Sequence, residues 1–544
     1  MPKHSFIRSA STISLCTLLS RVLGLARDVL CASVFGTGMV WDAFAVAFRI
    51  PNLFRRLFGE GALTAAFVPV FTEYMEKRGA RESWILVSVI ATVLTVFLGL
   101  VVIVGEVVFY TVPRLTPISE KWQLVLELLA IMFPYMPLIC LAALASAVLN
   151  CLRHFLMPAL SPVALNVCWI MGILVLSPVL GNTQTEKIFA VALAVVVGGI
   201  LQLGMQLLVL KNRSTGHNIS PVLELSHPGL RQVIRLIGPV VFGLAVVQVN
   251  VLADSLIAVG LAASPGGAGS FTLLGNTYEY PLRSGAASVL YYGDRIIEFP
   301  LALVGIAMAT AMFPALSTYA VREDWEEFSA TLHKVLRIVI FTSIPASFGL
   351  MVLGGPLVEL FFERNAFTHE SALRTASVIL FYATGIWAYC SLHILIRAFY
   401  SLQDTSTPVK VGASMVVLNL TLNLTLIWFL KEGGLALATA ISAMVQTSIL
   451  FIILKKRLHL KGFGGISATV IKTVTASAVM AFVCIITLNL LPEHHGSLAL
   501  KAARLFVPLP IAVITFLIAA RMLRSEEFQY LYDTLVKKVK AKED

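Results

Sequence analysis

Fourteen stretches of predominantly apolar residues divide this 544-residue chain, at 9–35, 40–75, 83–110, 123–150, 158–181, 187–210, 232–260, 288–319, 332–353, 372–400, 409–430, 434–455, 467–491 and 501–523. Each is near or above the roughly 20 residues that a helix needs to cross the hydrocarbon core of a bilayer. In that core the backbone must satisfy its own N–H and C=O groups, so such stretches are helices. Only 13% of the residues are charged, where a soluble domain has about 25%. The sequence predicts an all-α polytopic membrane protein. The second and eighth stretches exceed what a bilayer needs, which implies tilt or protrusion.

The loops set an orientation. With the N-terminus in the cytoplasm, about 25 Lys and Arg fall on the inside and about 9 outside, as the positive-inside rule requires. Both termini are then cytoplasmic. The same rule accounts for the net charge of +11, so nucleic acid is not an implied partner. The first stretch holds charges and runs straight into the second, so it reads as a span and not as a cleavable signal. The seven cysteines follow no ligand spacing and read as small packing residues. Among the outside loops, 261–287 has the composition of a flexible linker around Ser264-Pro265-Gly266-Gly267. Residues 355–371, with Leu357, Leu360, Phe361 and Phe362, suggest a short amphipathic helix at the outer interface. The tail from Glu526 sets Phe528, Leu531, Tyr532, Leu535 and Val536 on a helical period before Lys537, Lys538, Lys540 and Lys542. It reads either as an interfacial helix on anionic lipid or as a solvated basic tail.

A weak internal repeat recurs near 245–250 residues. Phe67-Val68-Pro69 through Tyr74 ends the second stretch as Phe313-Pro314 through Tyr319 ends the eighth. Arg153 precedes Pro158 as Gln403 precedes Pro408. Six spans later the pattern returns in the same orientation, which implies two pseudo-symmetric six-helix lobes. The predicted organisation is an N-lobe at 1–230, a C-lobe at 231–457, two extra spans at 458–524 and an amphipathic basic tail at 525–544. Transporters place substrate sites at such a repeat interface.

The first two stretches carry charges that a lipid-facing helix does not tolerate: Arg21, Arg27, Asp28, Asp42, Arg49, Arg55, Arg56 and Glu60. At about 2.5–3.5 kcal/mol each on insertion scales, eight such groups facing lipid would cost roughly 20 kcal/mol or more. They must face one another or a polar cavity. Asp42, Arg49, Arg56 and Glu60 fall within about 40° of one another on a helical wheel, although Pro51 interrupts the register. Arg21 and Asp28 share a face, whereas Arg27 points toward a neighbouring helix. In the eighth stretch Asp294, Arg295 and Glu298 form a third cluster, with Arg295 and Glu298 spaced to pair. Structural ion pairing is the plain reading. Five arginines stand against three acids in the first two stretches, however, and that surplus suits an anionic ligand. Arginine's planar fork suits phosphate or pyrophosphate.

Asp254 is a lone acid in the seventh stretch, Asn419 and Asn423 lie one turn apart on the eleventh, and Thr439 lies in the twelfth. Their oxygens form a set suited to Na⁺. For the Asn and Thr side chains, interhelical hydrogen bonding is the simpler reading. The chain holds no P-loop, nucleophile elbow, HExxH or strand-linked GxGxxG, so it reads as a transporter and not an enzyme.

Several runs resemble the MurJ (MviN) family, in order: Ser20-Arg21-Val22-Leu23-Gly24-Leu25-Ala26-Arg27-Asp28, Asp42-Ala43-Phe44, Pro51-Asn52-Leu53-Phe54-Arg55-Arg56, Glu60-Gly61-Ala62 and Phe67-Val68-Pro69. Tyr292-Gly293-Asp294-Arg295 through Pro300, and Gln403-Asp404-Thr405-Ser406-Thr407-Pro408, continue the likeness. The resemblance implies an inner-membrane flippase for lipid II, the undecaprenyl-pyrophosphate-linked peptidoglycan precursor, within the multidrug/oligosaccharidyl-lipid/polysaccharide exporter superfamily. It implies fourteen helices, the last two forming a lipid-tail groove, in a monomer that contacts membrane lipids and works beside cell-wall synthesis. It also implies that Arg21, Arg27, Asp28, Asp42, Arg55 and Arg295 match cavity positions. Asp254, Asn419, Asn423 and Thr439 match a sodium site in which Asn423 stands in place of an acid. The rival readings are a drug/cation antiporter or another polysaccharide-lipid exporter of the same superfamily, and a membrane-embedded transferase. The first would need an acidic, aromatic cavity. The last would need a metal-binding acidic motif, which the sequence lacks.

Overall fold

A computed structural model describes residues 3–57, 63–213, 219–267, 269–273, 275–458, 464–492 and 497–543. Glu60 and the loop residues Lys461, His494 and His495 lie outside the described residues. The protein is an all-α polytopic membrane protein. Among the described residues, ten helical stretches are long and apolar enough to cross a membrane, and two more pairs qualify across bends of 41° and 47°. These twelve coincide with the third to fourteenth predicted stretches. The first two correspond to a charge-bearing helix and to two helices flanking residues 58–62.

The chain forms two compact units, Met1–Ser288 and Val289–Asp544. The first unit holds α1 (Lys3–Phe35), α2 (Met39–Phe54), α3 (Leu63–Lys77), α4 (Gly79–Leu115), α5 (Glu120–Met132), α6 (Tyr135–Cys151), α7 (Leu156–Met171), α8 (Ser177–Leu180), α9 (Gln184–Arg213) and α10 (Pro228–Gly260). One of its apolar core layers joins Phe67, Phe71, Trp84, Leu144 and Val148 of α3, α4 and α6. Helix α10 packs on α2, α3 and α4, and the compact units divide at 288/289, one span later than the lobe boundary expected at 230/231. Lys121 at the start of α5 donates to the carbonyls of Val259 (2.9 Å) and Ala262 (2.6 Å). It thereby caps the C-terminal end of α10, where helix carbonyls lack partners.

The loop predicted to be a flexible linker instead contains an antiparallel hairpin, β1 (Ser270–Leu273) and β2 (Asn276–Glu279), with Phe271 opposite Tyr278. Phe271 packs on both Tyr278 and Tyr280. Aromatic cross-strand pairing holds a segment that glycine content alone describes as loose.

Helix α11 (Ala286–Pro300) begins in the first unit and continues into the second. The second unit continues with α12 (Ala307–Val321), α13 (Trp325–Phe361), α14 (His369–Ala383), α15 (Ile386–Ser401), α16 (Ser406–Leu430), α17 (Glu432–Arg457), α18 (Gly464–Leu490), α19 (Leu498–Phe506), α20 (Pro508–Met522) and α21 (Glu526–Glu543). Helices α18 and α20 pack against each other and on α13 through Phe341, Met480, Cys484 and Phe516. The separate interfacial helix predicted at 355–371 is absent. Leu357, Leu360 and Phe361 complete α13, and Phe362 and Phe367 are buried against Tyr292. Leu357, Leu360 and Phe361 pack on the apolar layer of α13, α18 and α20, and the aromatic contacts to Tyr292 take up Phe362 and Phe367.

The internal repeat is written in the backbone of each unit. A proline is followed by a π-helical turn twice: Pro51 before residues 55–57, and Pro300 before Leu301–Ile306. Proline removes a donor and crowds the preceding turn, and a wider turn absorbs the mismatch. The two bent pairs, α5–α6 and α14–α15, break at residues 133–134 and 384–385. Each then ends on a left-handed residue, Arg153 (φ 59°) and Gln403 (φ 57°). The next N–H reaches five residues back in both, His154 to Leu149 at 2.8 Å and Asp404 to Phe399 at 3.0 Å. This is a helix C-cap usually made with glycine.

Helix α21 is docked at its start. The Arg337 guanidinium of α13 donates from Nε to Glu527 at 2.6 Å and also pairs with Glu526 at 2.8 Å. The hydroxyls of Thr469 and Ser525 donate to Glu527 at 2.6 and 2.7 Å. Phe528 and Leu531 pack onto the apolar layer of α13, α18 and α20. Burial works to raise the Glu527 carboxyl, but bonds from Thr469, Ser525 and Arg337 outweigh it and hold the group below its ordinary value. The docking contact is therefore complete above the usual carboxylate pKa of about 4.3, and is lost as pH falls through the lower folded value. Arg337→Met leaves the buried Glu527 without its cation. It should raise backbone hydrogen exchange across residues 526–534 by at least about tenfold, a change of about 1.4 kcal/mol in local opening. Unchanged exchange in that segment would show that apolar packing alone holds the helix.

Candidate functional site

The charged residues of α1 and α2 are fixed by different partners, and the partners define their roles. Arg27 and Asp28 are both buried. Arg27 donates to Asp28 Oδ1 from Nε at 3.0 Å and from Nη2 at 2.7 Å. Its remaining arm donates to Asn166 Oδ1 of α7 at 3.0 Å, and its guanidinium lies 4.5 Å from the centroid of Trp169. Asn166 in turn donates to the Ser20 carbonyl of α1 at 3.0 Å. Trp169 meets Phe44 and Phe48 of α2 edge-on at 5.3 and 5.0 Å. One arginine thus ties α1 to α7 and, through an indole, to α2. A buried charge pair is costly unless its hydrogen bonds are satisfied, and here the fork geometry of arginine satisfies them.

Asp42 is buried at the start of α2. Its carboxylate accepts from the N–H of Gly285 and the N–H of Ser288, both at 2.7 Å, and from the Ser288 hydroxyl at 2.6 Å. These groups begin α11, where helix N–H groups lack partners and negative charge is favoured. Gly285 has φ +91°, and a side chain there would run into the backbone of Thr37 at 2.7 Å. Arg49 donates to the Val251 carbonyl at 2.9 Å and bonds the Ser255 hydroxyl, joining α2 to α10.

The other cations sit in more open surroundings. Arg21 is exposed, and Arg55 and Arg56 are half-buried at the π-turn after Pro51. Arg55 donates to Asn52 at 2.7 Å. In the second unit Arg295 pairs with Glu298 at 2.9 Å and lies 5.0 Å from the Tyr291 ring. About a third of the Arg295 side chain is accessible. Glu60, expected on the face of Arg56, lies outside the described residues.

The four candidate ion ligands divide between the units. Asp254 is buried on α10 of the first. In the second, Asn423 Nδ2 donates to Asn419 Oδ1 at 2.5 Å, and Asn419 Nδ2 donates to Thr439 Oγ1 at 3.3 Å. That chain joins α16 to α17, so in the second unit these residues fit interhelical hydrogen bonding.

The second unit also contains an apolar cavity of about 450 Å³ among α13, α15, α17 and α18. Ile344, Phe348, Trp387, Leu395, Phe451 and Val470 form part of its wall. Sequence patterns did not single out Asn166, Trp169, Ser255 or Ser288. Asn166 and Trp169 are spaced three apart on an apolar stretch, which was the available signal. Their partners lie more than a hundred residues away.

The family model described as lipid II flippase MurJ matches residues 31–504. "Probable lipid II flippase MurJ" of Vibrio cholerae is 36% identical over 468 residues, covering 84% of this chain and 83% of the relative. "Lipid II flippase MurJ" of Burkholderia cenocepacia is 34% identical over 460 residues, covering 83% and 84%. A solved structure of the lipid II flippase MurJ in an inward closed conformation superposes with a TM-score of 0.75 at 23% identity, over 96% of this chain and 99% of that one. An inward-facing multidrug transporter of the MATE family superposes with a TM-score of 0.62 at 13% identity, over 83% of this chain and 98% of that one. These superpositions speak to the fold.

If Asp42 is the cap of α11, Asp42→Ala should lower the midpoint of thermal unfolding in detergent more than Asp42→Asn, which keeps one acceptor oxygen. Loss of a cap costs about 0.5–2 kcal/mol. Equal midpoints for both variants and the unaltered protein would contradict the capping role.

Proposed function

Since the chain belongs to the lipid II flippase MurJ family, we propose that it carries lipid II across the bacterial inner membrane, with both termini in the cytoplasm. The observation that carries this reading is the family match, which runs from residue 31 to 504 through both units. The side chains support it. The buried groups build a frame: Arg27 with Asp28 and Asn166, Asp42 at α11, and Arg49 at α10. The more open arginines, Arg21, Arg55 and Arg56 in the first unit and Arg295 in the second, are the groups each unit offers to an anionic headgroup. A pyrophosphate takes paired, charge-assisted bonds from guanidinium forks, and these strengthen where water is scarce.

The undecaprenyl tail needs no polar contact. The apolar cavity beside α18 can shelter its first isoprene units while the rest stays in lipid. Transport then consists of presenting these arginines alternately to the two sides of the membrane. A cationic drug would be repelled by the same arginine surplus, which disfavours the antiporter reading despite the shared fold.

The test uses cells depleted of their own flippase. Arg295→Ala should insert normally, as judged by its level in the membrane fraction, and should fail to restore growth. Lipid II should build up in the cytoplasmic leaflet. Arg295→Lys, which keeps the charge without the fork, should restore growth only in part. Full growth with Arg295→Ala would remove Arg295 from the headgroup site. An unchanged lipid II distribution on depletion of this protein, together with greater sensitivity to cationic drugs, would replace the flippase reading.

A further inference from the structure

Helix α21 has a second half that the flippase reading does not use. The contacts that dock the helix come from its first turns. Arg337 holds Glu526 and Glu527, and Phe528 and Leu531 pack on the apolar layer of α13, α18 and α20. Lys334 of α13 lies over the Tyr530 ring, with Nζ 3.9 Å from its centroid. The helix then runs on to Glu543. We propose that this second half, from Thr534 onward, binds an anionic phospholipid surface.

The docking point sits at the margin of the hydrocarbon. Arg337 and Thr469, which both bond Glu527, fall near the starts of the apolar stretches 332–353 and 467–491. Helix α21 also follows directly on the stretch 501–523. The chain turns there through Arg524, which is left-handed (φ 52°), and the Ser525 N–H reaches back to the Ala520 carbonyl at 3.0 Å. Lys472 of α18 donates to the Arg524 carbonyl at 3.0 Å and fixes the turn. Three spans therefore end where α21 begins, at the level of the lipid headgroups.

The sequence of α21 suits that level. The apolar period of Phe528 and Leu531 continues through Leu535, Val536 and Val539. Residues 534–542 carry Lys537, Lys538, Lys540 and Lys542 and no acid. Arg521 and Arg524, just before the helix, are exposed and add to the positive charge. Glu526 and Glu527 do not oppose it, because Arg337 holds both. An apolar stripe beside a block of lysines is the pattern of a helix that lies in the membrane interface. Lysines clustered next to a span end are drawn to acidic headgroups. An acidic protein segment would match the lysines alone, whereas lipid matches the lysines, the stripe and the depth.

The test places the full-length, tag-free protein in nanodiscs of phosphatidylcholine, with and without phosphatidylglycerol, and follows backbone hydrogen exchange across residues 535–543. At low salt, exchange should be at least about tenfold slower in the anionic discs, and high salt should shrink the difference by screening. The combined variant Lys537→Gln, Lys538→Gln, Lys540→Gln and Lys542→Gln should lose the difference while residues 526–531 exchange as before, which shows that α21 is still docked. Equal exchange of the unaltered protein in the two kinds of disc, or a difference that survives in the four-lysine variant, would overturn the proposal.

Discussion

An arginine and an aspartate buried side by side in a membrane helix set the conditions for everything else in the first unit. Leaving Arg27 or Asp28 in lipid would be prohibitive, so α1 must present both to protein. Asn166 and Trp169 of α7 receive Arg27, and Trp169 in turn receives Phe44 and Phe48 of α2. Lysine could not replace the guanidinium, because a single ammonium cannot reach Asp28 twice, bond Asn166 and lie flat on an indole. The expense of burying charge is thereby turned into a specification of which helices pack together.

The same logic separates the roles of the charged residues. Both oxygens of the Asp42 carboxylate accept from the start of α11, and Arg49 is bonded to α10. These groups position helices. Arg21, Arg55 and Arg56 in the first unit and Arg295 in the second keep more of their surface. A set of charges that looks uniform in sequence is thus two sets in space.

Much of the fold was legible beforehand because a bilayer imposes a length on every helix. Twelve of the fourteen predicted stretches coincide with helices or bent helix pairs of the required length and apolarity. The repeat was legible from Pro69, Pro314, Arg153 and Gln403. The backbone adds what sequence could not state: prolines 51 and 300 each lead into a π-turn, and Arg153 and Gln403 share a left-handed cap. The misreadings have a common cause. Glycines in 261–287 suggested slack, and apolar residues in 355–371 suggested lipid, yet both segments are organised by aromatic contacts. Pairings such as Phe362 with Tyr292 join residues far apart in sequence, and no local pattern reports them. The partners of the charged residues were hidden for the same reason.

The most direct measurement places the purified protein in liposomes that contain lipid II and follows access of the headgroup to a reagent added outside. The account predicts that protein-containing vesicles expose lipid II initially held in the inner leaflet, and that Arg27→Lys abolishes this while leaving the protein incorporated. Translocation at the full rate by Arg27→Lys, or none by the unaltered protein under an imposed membrane potential or ion gradient, would contradict it.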